Sequence, residues 1–254
     1  LGRRFLAGMD EVHPFRMDAP EEDFLALMPI LQCFILVAVF PRAPWLWQVA
    51  RLDAQPEADR KAWARYYRRC VQRHLYANGP DRQFLSKNAS FTGSLETLLE
   101  AFPDAVLFGC SRDPLKTVPS QMSSLAPGLA LVGFAPFPDD LRDRLTELLK
   151  FYYLHQADVA ERHPDRVALL DNHALRDRLD ESLRAAFDRV VGGDQAVDQF
   201  GGDARHVAEA DQHAVDVLRQ GGEAAAQGGG EAAGVIGVVG HREAPLRQHL
   251  FHGG

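Results

Sequence analysis

Cysteine is scarce in this chain: three residues in 254, Cys33, Cys70 and Cys110, set far apart. Such spacing forms neither a zinc-ligand pattern nor a disulfide framework, and a reducing, cytoplasmic setting is expected. Excess positive charge is missing as well, since 28 Lys and Arg stand against 35 Asp and Glu for a net of −7. A net-acidic chain is poorly suited to sequence-independent nucleic-acid binding, so nucleic acid is not an expected partner and any anion site must be a local pocket. Long apolar runs are few. The longest, Phe24 to Phe40, has 17 residues without formal charge but is interrupted by Pro29 and Gln32. It is short for a membrane span and follows Glu21, Glu22 and Asp23, which suit the start of a helix. A buried core helix over 21–40 is expected, and no stable membrane span. The chain opens on Leu-Gly-Arg-Arg, without Met and without a signal-peptide pattern, so a fragment lacking its true N-terminus is expected.

Residues 191–254 lack Trp, Tyr and Lys altogether, and Phe200 and Phe251 are their only aromatics. They hold 14 of the 21 Gly, in runs such as GGEAAAQGGGEAAG. Such a segment buries little and gains little by ordering. The expected organisation is therefore a domain over 1–190 and a poorly ordered Gly/Ala-rich tail over 191–254. Within the tail, 203–219 reads as a helix and 233–239 as a short strand. An out-of-frame extension is one account of the tail's composition.

The first 190 residues alternate helix and strand signals. Residues 57–77 form an amphipathic helix ended by Asn78-Gly79-Pro80. Short strands are expected at 82–86, at 105–110 (AVLFGC), a continuous apolar run as in a strand buried on both faces, and at 166–171 (RVALLD), a third apolar strand. Helices are expected at 93–101, at 114–125 with Pro119 bending or shortening it, at 139–162 and at 177–190. Strands separated by helices imply an α/β fold with a mainly parallel sheet covered by helices, and the three strands are expected side by side.

The chemically informative stretch runs from Phe84 to Ser124. A buried strand leads straight into Ser111-Arg112-Asp113-Pro114, and ligands of open parallel sheets bind just outside the carboxyl ends of strands. Arg112 sits at such an end, and Ser120 follows eight positions on. A forked guanidinium and a hydroxyl converging there suit one phosphate group. The same residues also suit a plain helix start, with Asp113 as N-cap and Pro114 at the first helical position. Lys87 closes the preceding strand in Leu85-Ser86-Lys87-Asn88.

The order strand, Lys, helix, Phe-Pro-Asp-Ala, strand, Arg-Asp-Pro and Ser resembles the sulfotransferases, most closely the large bacterial-type family. The resemblance covers about residues 9–190. It includes His13-Pro14 with Asp18-Ala19-Pro20-Glu21, the Trp63 and Tyr66-Tyr67 helix, and the late strand and helix from Arg166. It implies a P-loop-like three-layer fold and 3′-phosphoadenosine-5′-phosphosulfate as sulfuryl donor. It also implies that Arg112 and Ser120 hold the donor's 3′-phosphate and that Lys87 stabilises charge near the sulfuryl group. His13 is the implied base, no metal is needed, and the acceptor is a hydroxyl of a small molecule, lipid or sugar. The family's glycine-containing phosphosulfate loop has no counterpart here, and the glycine runs of the tail do not replace it. Ser90 stands where many members carry His, and Asn172-His173-Ala174 replaces a Tyr-Glu-Asp-like stretch. A chain without that loop is expected to bind adenosine 3′,5′-bisphosphate in the millimolar range at best and to show no measurable turnover.

Other residues read more simply. His74, His155 and His163 lie in or at the ends of polar helices and are expected to be solvated. The arginines of 57–77 read as a solvated helix side, and Trp45 and Trp47 as core or rim. The alternative to an enzyme is a non-catalytic α/β nucleotide-binding or interaction domain of the same fold. A P-loop kinase would need a Gly-x-x-x-x-Gly-Lys-Ser/Thr loop, which is not visible.

Overall fold

The computed structural model describes residues 23–80, 82–191 and 234–239. In chain order these form α1 (Phe24–Leu27), α2 (Pro44–Val49), α3 (Glu57–Asn78), β1 (Phe84–Asn88), α4 (Leu95–Ala101), β2 (Val106–Ser111), α5 (Pro114–Leu131), α6 (Asp139–Arg162), β3 (Val167–Asp171), α7 (Asn172–Asp177), α8 (Leu179–Val191) and β4 (Gly234–Val239). Four 3₁₀ segments, Met28–Ile30, Phe34–Ala38, Leu52–Ala54 and Ala89–Ser94, join them.

The strands form one sheet in the order β1-β4-β2-β3. β2 and β3 pair in parallel, while β4 is antiparallel to both β1 and β2. The strands β1, β2 and β3 therefore run in one direction, as the α/β reading requires. They do not all lie side by side. The expectation that β1 adjoins β2 is corrected: β4, from the Gly/Ala-rich tail, stands between them and makes two of the three pairings antiparallel. The short strand expected at 233–239 is thus present, and these residues pack into the sheet's middle rather than poorly on its outside. Their uncharged Val-Ile-Gly-Val-Val sequence supplies the apolar, β-branched residues that a central strand favours. The rest of 192–254, including the helix expected at 203–219, lies outside the described residues.

Helices cover both faces. On one face, Leu107 and Val167 of the sheet pack with Leu95 and Leu99 of α4 and Val159 and Ala160 of α6. On the other, Phe108, Ala168 and Leu170 meet Leu175 of α7 and Leu183, Ala186, Phe187 and Val190 of α8. Adjacent residues 107 and 108 thus serve opposite faces, as the two-residue period of a strand dictates. The result is the three-layer arrangement, and it explains why 105–110 reads as apolar without alternation.

α3 buries Trp63, Tyr67, Val71 and Leu75, a stripe at four-residue spacing, against Leu98 and Phe102. Tyr67 donates to Asp23 Oδ2, and Ser86 of β1 joins both groups, which ties the first described residue to the sheet. Burial raises the pKa of the Asp23 carboxyl and of the Tyr67 phenol. The loop between α4 and β2 is closed by Arg166, whose guanidinium donates to the carbonyls of Phe102 (2.8 Å) and Ala105 (3.1 Å). It thereby satisfies acceptors past the end of α4.

Two helix expectations are corrected. Residues 21–40 are not one helix. α1 stops after Leu27, because Pro29 has no N–H to continue the ladder, and Leu31 turns left-handed (φ 57°) while Gln32 donates back to Leu27. No helix among the described residues is long and apolar enough to cross a membrane. α5, in contrast, runs through Pro119 and Pro127 to Leu131. The carbonyls that these prolines leave without an N–H belong to Leu115 and Ser123, both exposed, so water can serve them.

Candidate active site

The register places the carboxyl ends of β1 and β2 on one rim. Asn88 is opposite Val235, and Cys110 is opposite Gly234, so the amino end of β4 enters the sheet between them. β1 and β2 stand two strand spacings apart, about 10 Å. Lys87 occupies the penultimate position of β1 and is partly exposed. Arg112 follows the last residue of β2 and is also partly exposed. The topology therefore brings both expected cations to the same edge of the sheet.

Asp113 caps α5, its Oδ1 accepting from Leu115 N at 3.0 Å, with Pro114 in the first turn. The helix-start reading of Arg-Asp-Pro thus holds for Asp113 and Pro114. It leaves Arg112 unexplained, since its guanidinium makes no hydrogen bond or ion pair among the described residues. Ser120 lies seven residues after Asp113, which puts it on the same side of α5 two turns on. The side chains of Arg112 and Ser120 make no hydrogen bond to each other. A phosphate oxygen is the kind of acceptor that this donor set lacks. Asn88 adds a further donor at the rim. Its Oδ1 accepts from Ser90 N (3.0 Å) and Ser90 Oγ (2.6 Å), which leaves Nδ2 buried and without a partner among the described residues. Asn88 thus caps the 3₁₀ turn after β1, and Ser90, which stands in place of the family's His, donates to that cap. His13 lies outside the described residues.

Sequence reasoning missed Tyr153. Its hydroxyl donates to the carbonyl of Arg112 at 2.6 Å and lies 2.9 Å from Thr117 Oγ1. α6 thereby clamps the turn between β2 and α5. Burial raises the phenol's pKa, so it stays a donor across the physiological range. Nothing local marks it, because the partners are 41 residues apart. Tyr153→Phe is expected to loosen the Arg112 turn and weaken anion binding about 5-fold, the worth of one hydrogen bond near 1 kcal/mol. Calorimetric titration of both proteins with adenosine 3′,5′-bisphosphate checks this, and equal affinities would remove Tyr153 from the site.

The expectation for the histidines is corrected for two of them. His155 Nε2 lies 2.8 Å from Asp53 Oδ2, and the two side chains are only 11% and 5% exposed. His163 Nε2 approaches Glu96 at 3.1 Å. His155 is thus largely buried against Asp53, while His163, just past the end of α6, is partly exposed and engaged by Glu96. The helix side at 57–77 likewise engages Glu100 through Arg60. Around these groups a cleft of about 420 Å³ opens, lined by Asp53, Arg60, Glu96, Phe151, His155 and Arg162 among others. Lys87, Arg112 and Ser120 do not line it, and its arginines are paired with Glu100 and with Glu96 and Asp158. Both of its arginines are engaged by carboxylates, so it reads as a structural network. Trp47 is core-packed, donating to the carbonyl of Pro41 at 2.8 Å beneath the Arg144 guanidinium, while Trp45 is exposed at the rim.

Among the described residues no group of three or more His, Cys, Asp or Glu could hold a metal ion. A family model described as the sulfotransferase family matches residues 3–192. No curated protein and no solved structure matches the chain.

Proposed function

The chain belongs to the sulfotransferase family, and from that premise we propose that it transfers a sulfuryl group from 3′-phosphoadenosine-5′-phosphosulfate to a hydroxyl of a small molecule, lipid or sugar. Membership makes the protein a transferase enzyme; the donor and the acceptor class are our reading. The observation that carries it is Arg112, a guanidinium at a strand's carboxyl end with no anionic partner among the described residues, beside a helix already capped by Asp113. Arg112 and Ser120 are assigned to the donor's 3′-phosphate, with a bidentate fork and one hydroxyl bond. Lys87, on the same rim, is assigned to the 5′ end.

Transfer then proceeds by in-line attack of the acceptor oxygen on sulfur. The new S–O bond forms as the bond to the nucleotide's bridging oxygen breaks, and that oxygen leaves with the electron pair. Lys87 stabilises the charge growing there, and His13 takes the acceptor's proton. Positioning and charge stabilisation supply the rate, as in phosphoryl transfer.

The two ends of the donor separate the assignments. Lys87→Ala is expected to weaken binding of the intact donor about 10-fold, roughly one charge-assisted hydrogen bond, while leaving adenosine 3′-phosphate unchanged. Equal loss for both ligands, or none for either, would overturn the placement of Lys87 at the sulfuryl end.

A further inference from the structure

α3 carries a concentration of charge that the candidate site does not use. Between Arg60 and Arg73 stand six of the chain's 28 Lys and Arg, with no Asp or Glu among them, while the chain as a whole is net −7. Arg60 and Lys61 are paired with Glu100 and Glu57. Arg65, Arg69 and Arg73 are exposed, and they make no hydrogen bond or ion pair among the described residues. Each is four residues from the next, so they form one row along about 12 Å of helix. The row lies on the side of α3 turned away from its buried stripe of Trp63, Tyr67, Val71 and Leu75.

Like charges at this spacing repel and weaken the helix that carries them, so the fold does not explain the row. What it calls for is negative charge from outside, and its surroundings say of what kind. The row is convex, on the apex of a single helix, so it offers no recess for a small anion. Ala58 and Ala62, exposed on the same side, are small. The apolar centre that a protein–protein interface needs is therefore absent there among the described residues. The large neighbour is Tyr76, three positions beyond Arg73 and 76% exposed. A flat layer of anionic headgroups needs neither recess nor apolar anchor. Its attraction adds cation by cation, and a Tyr ring with its hydroxyl suits the headgroup level. Fields fade within about 8 Å at physiological salt, so a row in contact with such a layer is attracted although the chain is acidic as a whole.

We propose that this side of α3 is a docking surface for an anionic lipid layer, with Arg65, Arg69 and Arg73 on the headgroups and Tyr76 among them. The contact is peripheral, since it uses charge and one amphipathic ring. Each cation near an anionic surface raises affinity about 5-fold, so the three together contribute about 100-fold. Lys87, Arg112 and Ser120 take no part in it, so docking and donor binding are separable.

Sedimentation of the full chain with vesicles at physiological salt tests this. Vesicles of equal parts phosphatidylcholine and phosphatidylserine are expected to carry the protein down, and vesicles of phosphatidylcholine alone are not. Arg65→Gln, Arg69→Gln and Arg73→Gln together are expected to lower partitioning about 100-fold. Each change alone is expected to lower it about 5-fold, which keeps the test independent of the triple variant's stability. The three corresponding Arg→Lys changes keep the charge and are expected to stay within about 3-fold of the parent, because headgroup attraction follows charge rather than the guanidinium fork. Raising the salt to about 1 M, where the screening length falls to about 3 Å, is expected to release the parent. Binding of adenosine 3′,5′-bisphosphate is expected to be the same in all of these proteins. Equal partitioning of the parent and the Gln variants, or equal binding to neutral vesicles, would overturn the proposal. So would a loss of bisphosphate binding in step with partitioning, because the changes would then act through the fold. Retention on polyglutamate or duplex DNA without binding to the anionic vesicles would overturn it in favour of an acidic polymer.

Discussion

Asp53→Ala is expected to lower the stability of the fold by about 3–5 kcal/mol, the largest single cost of a side chain outside the apolar core. The Asp53 carboxylate accepts from Glu96 N (2.9 Å), Thr97 N (2.9 Å) and Thr97 Oγ1 (2.6 Å), and its other contact is His155 Nε2. It acts as the N-cap of α4 although it comes from a 3₁₀ turn more than 40 residues earlier. Alanine leaves these donors buried, each at about 1–3 kcal/mol, and removes a negative charge from a helix N-terminus. Asp53→Asn keeps one acceptor oxygen and should cost roughly half as much. Urea denaturation of the three proteins measures this. A loss below about 1 kcal/mol for alanine would mean that α4 is held by packing alone. The consequence reaches the proposed site, because α4 connects β1, with Lys87, to β2, which leads into Arg112.

Arg112→Ala is expected to have the opposite signature, large in binding and small in stability. The guanidinium has no ion pair among the described residues, and the Asp113 cap of α5 does not involve it. Stability should therefore change by no more than about 0.5 kcal/mol. Loss of a two-pronged, charge-assisted contact at about 1.5–3 kcal/mol per bond should weaken binding of adenosine 3′,5′-bisphosphate roughly 100-fold or more. A matching loss of stability would make Arg112 a structural residue.

The contrast between these residues shows what the sequence makes legible. Arg112, Ser120 and Lys87 are proposed from a strand-end position together with an order of motifs that resembles the family, a local pattern. The strand at 106–111 and the helix at 139–162 are likewise local, set by continuous or periodic burial. Asp53, Tyr153 and His155 are not marked by anything nearby. Their partners lie 36 to 102 residues away, and only the packing of α6 across α4 and β2 brings them together. The run from Phe24 to Phe40 misleads because composition, not periodicity, suggests a helix, while Pro29 and the left-handed Leu31 break it. For β4, the strand itself is readable in Gly-Val-Ile-Gly-Val-Val. Its place is not, since nothing in a local pattern specifies insertion between two co-directional strands.

The central claim, that the rim of β1 and β2 holds a 3′-phosphate through Arg112, is tested most directly by calorimetric titration with two nucleotides. Adenosine 3′,5′-bisphosphate and adenosine 5′-monophosphate differ only in the group assigned to Arg112 and Ser120. The parent is expected to prefer the bisphosphate by at least 10-fold. Arg112→Lys keeps the charge but loses the fork, and it should bring the two affinities within about 3-fold of each other, with the monophosphate bound as in the parent. An Arg112→Lys protein that retains the parent's full preference would contradict the assignment at its centre.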